Sequence, residues 1–319
     1  MCDNSNAFKT IGLNDRGGFY CLEAEQAIDR EIEEYSRFKF GDVAAIHSLS
    51  SVTAGFFIKQ LEMGEGLRKV FDKARNDGEF VYLQAPGIRN LASSSNYLMA
   101  EVASKVNVWL ALNGYPTMIK KPVVRLASGI PNYAELSSET RRKRVKTTVS
   151  LMPTSDYAAY PINVIFIDDV EVTGCTRGRA ELNSLSGGAA SFNAIFAYRV
   201  ESTYAKQDAS IENKMNHYFI KGNLDDAVSH ILSHPDYQPV QRMLRLLLNL
   251  KNREAWSDFA RVEIPDRNLL RIYSAALSND YHSISSEGEF LYAGSLNILS
   301  AVLKEKELID KSGMPLMKI

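Results

Sequence analysis

Cysteine is scarce. The 319 residues hold three, Cys2, Cys21 and Cys175, with no CxxC pair among them. That excludes a disulfide framework and argues against a structural zinc site. The N-terminus, Met1-Cys2-Asp3-Asn4-Ser5-Asn6, is polar and lacks the apolar core of a secretory signal. No apolar run approaches the ~20 residues that span a bilayer. The longest candidate, Met243 to Leu250, is short and contains Arg245. Charge of one sign is missing as well: Lys plus Arg is 37, Asp plus Glu is 38, and the formal net charge is -1. Such a balance does not hold a protein on nucleic acid or membrane by bulk charge, although a local basic patch is still compatible with it. The expectation is a protein of the reducing cytoplasm with no membrane partner.

What is present is ordinary globular material, 45% hydrophobic and 24% charged. A chain of this length forms two domains, or one large domain with appendages. It can bury about three quarters of its unfolded surface, so no metal or disulfide staple is required.

Residues 1–20, with Gly12, Gly17 and Gly18, read as an irregular leader. Acids and apolar residues then alternate at helical spacing from Leu22 to Tyr35. Phe38-Lys39-Phe40-Gly41-Asp42 breaks that helix, and Val43 to Val70 is helical again, with punctuation at Gly64 and Gly66. A run of βα signals comes next. The turn Asn76-Asp77-Gly78 precedes a strand, Phe80 to Gln84, which Ala85-Pro86-Gly87 ends. Ser94 to Leu112 reads as a helix, Val123 to Leu126 as a second strand, Val164 to Ile167 as a third and Ala194 to Val200 as a fourth. The third is apolar at every position, as expected of a parallel strand covered on both faces. Beyond Ala205–Glu212 the pattern is helical, at Leu224 to Leu232, Val240 to Leu250, Leu269 to Leu277 and Leu291 to Leu303. The expected organisation is a helical segment over 1–75, a doubly wound α/β core over 76–205 and a helical region over 206–319.

The segment that carries chemistry is Val164-Ile165-Phe166-Ile167-Asp168-Asp169-Val170-Glu171-Val172-Thr173-Gly174-Cys175-Thr176. A buried strand delivers two adjacent carboxylates to its C-terminal end, where ligands of open α/β sheets bind. The Thr-Gly-X-Thr turn offers backbone N–H groups, two hydroxyls and a helix start near Arg177, a set suited to phosphate. Gly174 lets the backbone come close. Asp168 and Asp169 suit ribose hydroxyls or a hard cation such as Mg²⁺. A ribose 5-phosphate satisfies both halves. A tight turn closing some other α/β strand explains the glycine but not both threonines.

This segment closely resembles the phosphoribosyl-pyrophosphate (PRPP) signature of the type I phosphoribosyltransferases (PRTases): four apolar residues, two acids, then x-x-x-T-G-x-T. The resemblance covers roughly residues 75–205. It implies a PRTase-like doubly wound parallel sheet, here with helical N-terminal and C-terminal additions. It also implies transfer of a 5-phosphoribosyl group from PRPP to a nitrogenous base or similar small acceptor, with Mg²⁺ and release of pyrophosphate. The other reading is a regulator that keeps the PRPP site without catalysis. Asp168 and Asp169 then serve the ribose hydroxyls and the metal's water shell, and Val172, Thr173, Gly174, Cys175 and Thr176 the 5-phosphate. Ala85 to Asn90 falls where the family binds pyrophosphate, which offers Arg89 that role, although the family's usual glycine pair is missing. Between the second strand and the motif the family has a closing hairpin; here that stretch holds Arg141, Arg142, Lys143, Arg144 and Lys146, cations for the leaving group. The bland reading of these basic residues is a solvated face, and no stacking aromatics interleave them as RNA binding would need. Hypoxanthine-type relatives carry an acid where Val172 stands, so this chain departs from that subgroup. A homodimer is expected. The stretch Tyr35 to Asp42 weakly resembles a segment of bacterial phosphoribosyltransferases encoded beside stress-resistance genes.

The remaining singular residues weigh less. His230 and His234 have metal-ligand spacing on a predicted helix but no third ligand beside them. Cys175 is a small residue tolerated in the phosphate loop, or a thiol activated by a helix start. Trp109 and Trp256 read as core or interface residues.

Overall fold

The computed structural model describes residues 5–13, 18–88, 90–125, 150–151, 160–208, 210–283, 285–286, 289–290 and 292–316. The chain divides into two units, one of residues 1–33, 46–89 and 95–215, the other of 34–45, 90–94 and 216–319.

The first unit is built on a seven-stranded sheet. Its strands are β1 (Ser5–Leu13), β2 (Phe19–Cys21), β3 (Gln26–Ala27), β4 (Phe80–Gln84), β5 (Ile119–Lys120), and two more from later in the chain. A separate antiparallel ribbon is formed by β6 (Val124–Arg125) and β7 (Ser150–Leu151). Helix α1 is Asp29–Lys39, α2 is Val43–Glu62, α3 is Leu67–Asp77 and α4 is Ser94–Leu112. After the ribbon come β8 (Ile162–Glu171), α5 (Cys175–Ser186), β9 (Ser191–Val200), α6 (Ser202–Gln207) and α7 (Ile211–Asn216). The sheet order is β3-β2-β1-β9-β8-β4-β5. The pairs from β1 to β5 in that order are parallel, and β2 and β3 add an antiparallel edge.

β8 is central because its sequence tolerates cover on both faces. Ile162, Val164, Ile165, Phe166 and Ile167 are all at most 2% exposed. On one face Ile162, Val164 and Phe166 pack with Phe192, Ala194 and Phe196 of β9, beneath Ala180 of α5. Phe166 stacks on Phe192 at 6.3 Å and meets Phe196 edge-on at 6.4 Å. From β4 the chain crosses through α4 to the outer neighbour β5, and from β8 it crosses through α5 the other way to β9. β4 and β8 therefore flank the point where the winding reverses, and their carboxyl ends open the crevice that such sheets use for ligands.

Three expectations are corrected. The N-terminal leader is not irregular: β1 pairs in parallel with β9 from Ser5↔Ala194 to Ile11↔Val200, and Ile11 is fully buried. The helix read from Leu22 begins only at Asp29, because the preceding residues turn and form β3. The strand read at Val123 to Leu126 does not enter the sheet; Ile119–Lys120 takes the place beside β4, and Val124–Arg125 pairs with Ser150–Leu151. A β-rich tetrad identifies a strand but not which edge it joins.

The second unit is helical. Its helices are α8 (Asp226–Ser233), α9 (Gln241–Leu247), α10 (Arg253–Val262), α11 (Asp266–Ser278) and α12 (Ala293–Glu305). Trp256 of α10 is fully buried, and its indole N–H donates to Ser295 O at 3.1 Å. Leu299, Val302 and Leu303 of α12 and Leu269 and Ile272 of α11 are likewise buried. No single helix among the described residues is long and apolar enough to cross a membrane.

Candidate active site

Asp168 and Asp169 end the buried run of β8 and are 8% and 2% exposed. Asp169 Oδ1 accepts the Ser95 hydroxyl of α4 at 2.9 Å, which ties the start of α4 to the end of β8. The Asp169 N–H donates to Asp168 Oδ1 at 2.9 Å.

Val172, Thr173 and Gly174 make the turn after β8. Gly174 has φ 68° and ψ 0°, the left-handed region that a side chain resists. Space is not the constraint, since the nearest atom to an added Cβ is Glu171 Oε1 at 3.6 Å. Gly174 is also the N-cap of α5, so no side chain caps that helix. The Gly178 N–H donates to Gly174 O at 2.8 Å, and α5 begins at Cys175, two residues before the expected start. The first N–H groups of a helix have no partner within it. Thr173, Gly174, Cys175 and Thr176 are thus gathered, half-buried, on one turn at a helix N-terminus.

Alternation along the strand turns Glu171 away from Val172, and the structure gives it a destination. It is 8% exposed, and its carboxylate bridges two arginines. Oε1 lies 2.8 Å from Arg177 Nε in the first turn of α5, and Oε2 accepts from Arg199 Nε of β9 at 2.8 Å. Glu171 and Arg199 are register partners on adjacent strands. A residue spacing of 28 carries no local signal; only the parallel pairing of β8 with β9 brings the two together.

The loop after β4 is pinned from two sides. Asn96 Nδ2 donates to Pro86 O at 3.1 Å, and the Ile88 N–H donates to Val123 O at 2.9 Å. The latter bond fastens the loop to the ribbon of β6 and β7. Arg89, and Arg141, Arg142 and Lys143 with Arg144 and Lys146, lie outside the described residues.

No group of three or more His, Cys, Asp or Glu side chains among the described residues is arranged to hold a metal. Two adjacent carboxylates are the donor set for a hard cation that arrives with substrate oxygens and water, as Mg²⁺ does, rather than for a protein cage. His230 and His234 do not share a helix: α8 ends at Ser233, and His234 Nδ1 accepts the Asp236 N–H at 3.1 Å. Trp109 stacks on Tyr115 at 6.2 Å.

The family model described as PRTase ComF-like matches residues 14–293. A search of curated proteins finds no match. Among solved structures, a Trypanosoma cruzi hypoxanthine phosphoribosyl transferase aligns at 11% identity over 55% of this chain and 67% of its own, with a TM-score of 0.29. An asparagine mutant from a study of an invariant aspartic acid in HPRTs aligns at 11% identity over 53% of this chain and 65% of its own, with a TM-score of 0.27.

Proposed function

The chain belongs to the PRTase ComF-like family, and from that premise we propose that its first unit binds PRPP with Mg²⁺ and transfers the phosphoribosyl group to a nitrogenous base or similar small acceptor, releasing pyrophosphate. The observation that carries the reading is the union, at the point where the sheet's winding reverses, of a buried acid pair with an uncapped helix start behind a left-handed glycine.

The roles follow from chemistry. Breaking the anomeric C–O bond leaves positive charge on the ribose and negative charge on pyrophosphate, so positioning and charge stabilisation do the catalysis. Thr173, Gly174, Cys175 and Thr176 hold the 5-phosphate through backbone N–H groups and hydroxyls. Val172 borders that loop and contributes its backbone. Asp168 and Asp169 face the ribose hydroxyls. Ser95, by donating to Asp169, fixes the position of that carboxylate. Asp168 and Asp169 would also hold Mg²⁺, which when bound neutralises charge on the leaving group. Arg89, Arg141, Arg142 and Lys143 are assigned to pyrophosphate on their position in the sequence.

The test is incubation with labelled Mg-PRPP and a panel of purine, pyrimidine and related bases, with pyrophosphate release as readout. Release dependent on one acceptor class supports transfer. Binding of Mg-PRPP without release by any acceptor returns the regulator reading, and no binding at all rejects the site.

A further inference from the structure

The stretch Tyr35 to Asp42 is left unused by the transferase site, and the second unit shows what it builds. The Ser36 hydroxyl, fully buried, makes three hydrogen bonds to a turn about 180 residues away. It donates to Asn216 O at 2.8 Å and accepts the N–H groups of Phe219 and Ile220 at 3.2 and 3.1 Å. The Arg37 guanidinium lies over the Phe219 ring at 4.2 Å. Phe40 meets the His217 ring edge-on at 5.5 Å. Gly41, at φ 87°, approaches Val240 so closely that a Cβ would stand 3.2 Å from its methyl. The motif therefore serves as the seat of the turn 216–222.

That turn gathers positive charge. His217 Nδ1 is 3.0 Å from Ile220 O, so Nδ1 carries the proton in the neutral ring and Nε2 is left as the acceptor. Lys251 reaches across from the 3-10 turn Leu250–Asn252, its Nζ 3.1 Å from where a Cβ on Gly222 would stand. Gly222 is at φ 89°, and its carbonyl accepts the Asn252 amide at 3.3 Å, so turn and lysine are locked together. Lys221 lies in the turn, and its Nζ donates to Tyr218 O. Arg242 lies in the first turn of α9. Burial pushes the His217 pKa below its ordinary value; the charges of Arg242, Lys251 and Lys221 push it further, against the opposing bond to Ile220. No carboxylate among the described residues pairs with Lys221 or Lys251. The nearest acid of the motif, Asp42, is engaged elsewhere: it accepts the Ala45 N–H at 3.1 Å and stands 3.9 Å from Arg37. Next to His217, Asn216 is fully buried, and neither its amide nitrogen nor its oxygen has a hydrogen-bond partner.

We propose that His217, Lys221 and Lys251 form a binding site for a phosphate-type oxyanion in the second unit, held in shape by the Tyr35–Asp42 motif. Lys251 comes to the turn of His217 and Lys221 from a separate element, held there through Asn252 and Gly222, which a solvated charge run along a single helix would not do. An arriving anion gives the lysines their missing counter-charge and favours the protonated ring, which then donates from Nε2.

Inorganic phosphate is the probe. The imidazole proton signals of the full chain, which has five histidines, are followed by NMR during titration with phosphate and with sodium chloride at matched ionic strength. His217, assigned by its loss in His217→Gln, shifts saturably with phosphate, and its pKa rises. In Lys221→Gln with Lys251→Gln, both changes at exposed positions that leave the fold intact, the apparent affinity falls about tenfold or more, as expected for lost charge-assisted hydrogen bonds. In Gly174→Val the response persists. Equal responses to chloride and phosphate overturn the proposal. So does an unchanged titration in the lysine double variant, or a response lost in Gly174→Val, because the phosphate sensed would then be bound at the β8 turn.

Discussion

The two ends of β8 face one problem and resolve it differently. At the amino end the strands carry buried polar groups that the protein satisfies by itself. Lys73 Nζ lies 2.7 Å from Glu79 Oε1, Asn163 Nδ2 donates to Glu79 Oε2 at 2.7 Å, and the Ser191 hydroxyl donates to Asn163 Oδ1 at 2.6 Å. The chain of bonds runs across the starts of β4, β8 and β9. At the carboxyl end the acids are as deeply buried, but the strand there gives way to a left-handed glycine and a helix with no side-chain cap. One end is closed on itself and acts as a fastening. The other offers backbone donors that a phosphate suits. Burial of carboxylates alone therefore does not distinguish the two ends; the geometry of the next five residues does.

The largest effect expected from breaking this contrast is at the carboxyl end. Asp168→Asn with Asp169→Asn is nearly isosteric, and the Ser95 bond survives at an amide oxygen. Mg-PRPP binding or turnover should fall by one to two orders of magnitude or more, at roughly 1.4 kcal/mol per factor of ten, while calorimetric melting moves little. Unchanged PRPP affinity and rate would show that the two ends are equally structural.

Next is Glu79→Ala at the amino end. It leaves the buried Asn163 amide without its acceptor, at a cost of about 1–3 kcal/mol. Urea unfolding should show that loss, with PRPP affinity per folded molecule preserved. A variant with normal stability but impaired binding would reverse the assignment of the two ends.

Gly174→Val costs less in stability. The space is open, so the penalty is that of forcing a side chain to a positive φ, about 1–2 kcal/mol. Ribose 5-phosphate should raise the melting temperature of the parent and not of the variant. Equal protection of both would move the phosphate site elsewhere.

The smallest effect is a pH dependence. Burial raises the Glu79 pKa, but the hydrogen bonds from Lys73 and Asn163 outweigh burial and hold it below its ordinary value. The native state therefore gains stability above the unfolded pKa of about 4.3, and loses it as pH falls through the lower native value. The stability gap between parent and Glu79→Gln, read from urea midpoints, should be full near neutrality and shrink in acid. A gap that is flat with pH would mean that the carboxylate contributes as a hydrogen-bond acceptor and not through its charge.

The features legible from the residues alone are local ones. The run from Val164 to Ile167 declares a strand covered on both faces, because every position is apolar. Thr173, Gly174 and Thr176 declare a turn into a helix, because a positive φ and a helix start are set within a few residues. Helix α4 is read to its ends for the same reason. The pairing partners are another matter. Ser5–Leu13, in a stretch read as an irregular leader, becomes a strand only because β9 offers an open parallel edge some 190 residues later. Val124–Arg125 looks as strand-like as Ile119–Lys120, yet the latter meets β4. Glu171 finds Arg199, and Ser36 finds the turn at Asn216, through chain folding that no spacing encodes. Propensity and backbone conformation act over a few residues and can be read in place. Edge pairing, buried ion pairs and long-range clamps depend on which surfaces remain unfilled once the core has formed, and only the tertiary structure decides that.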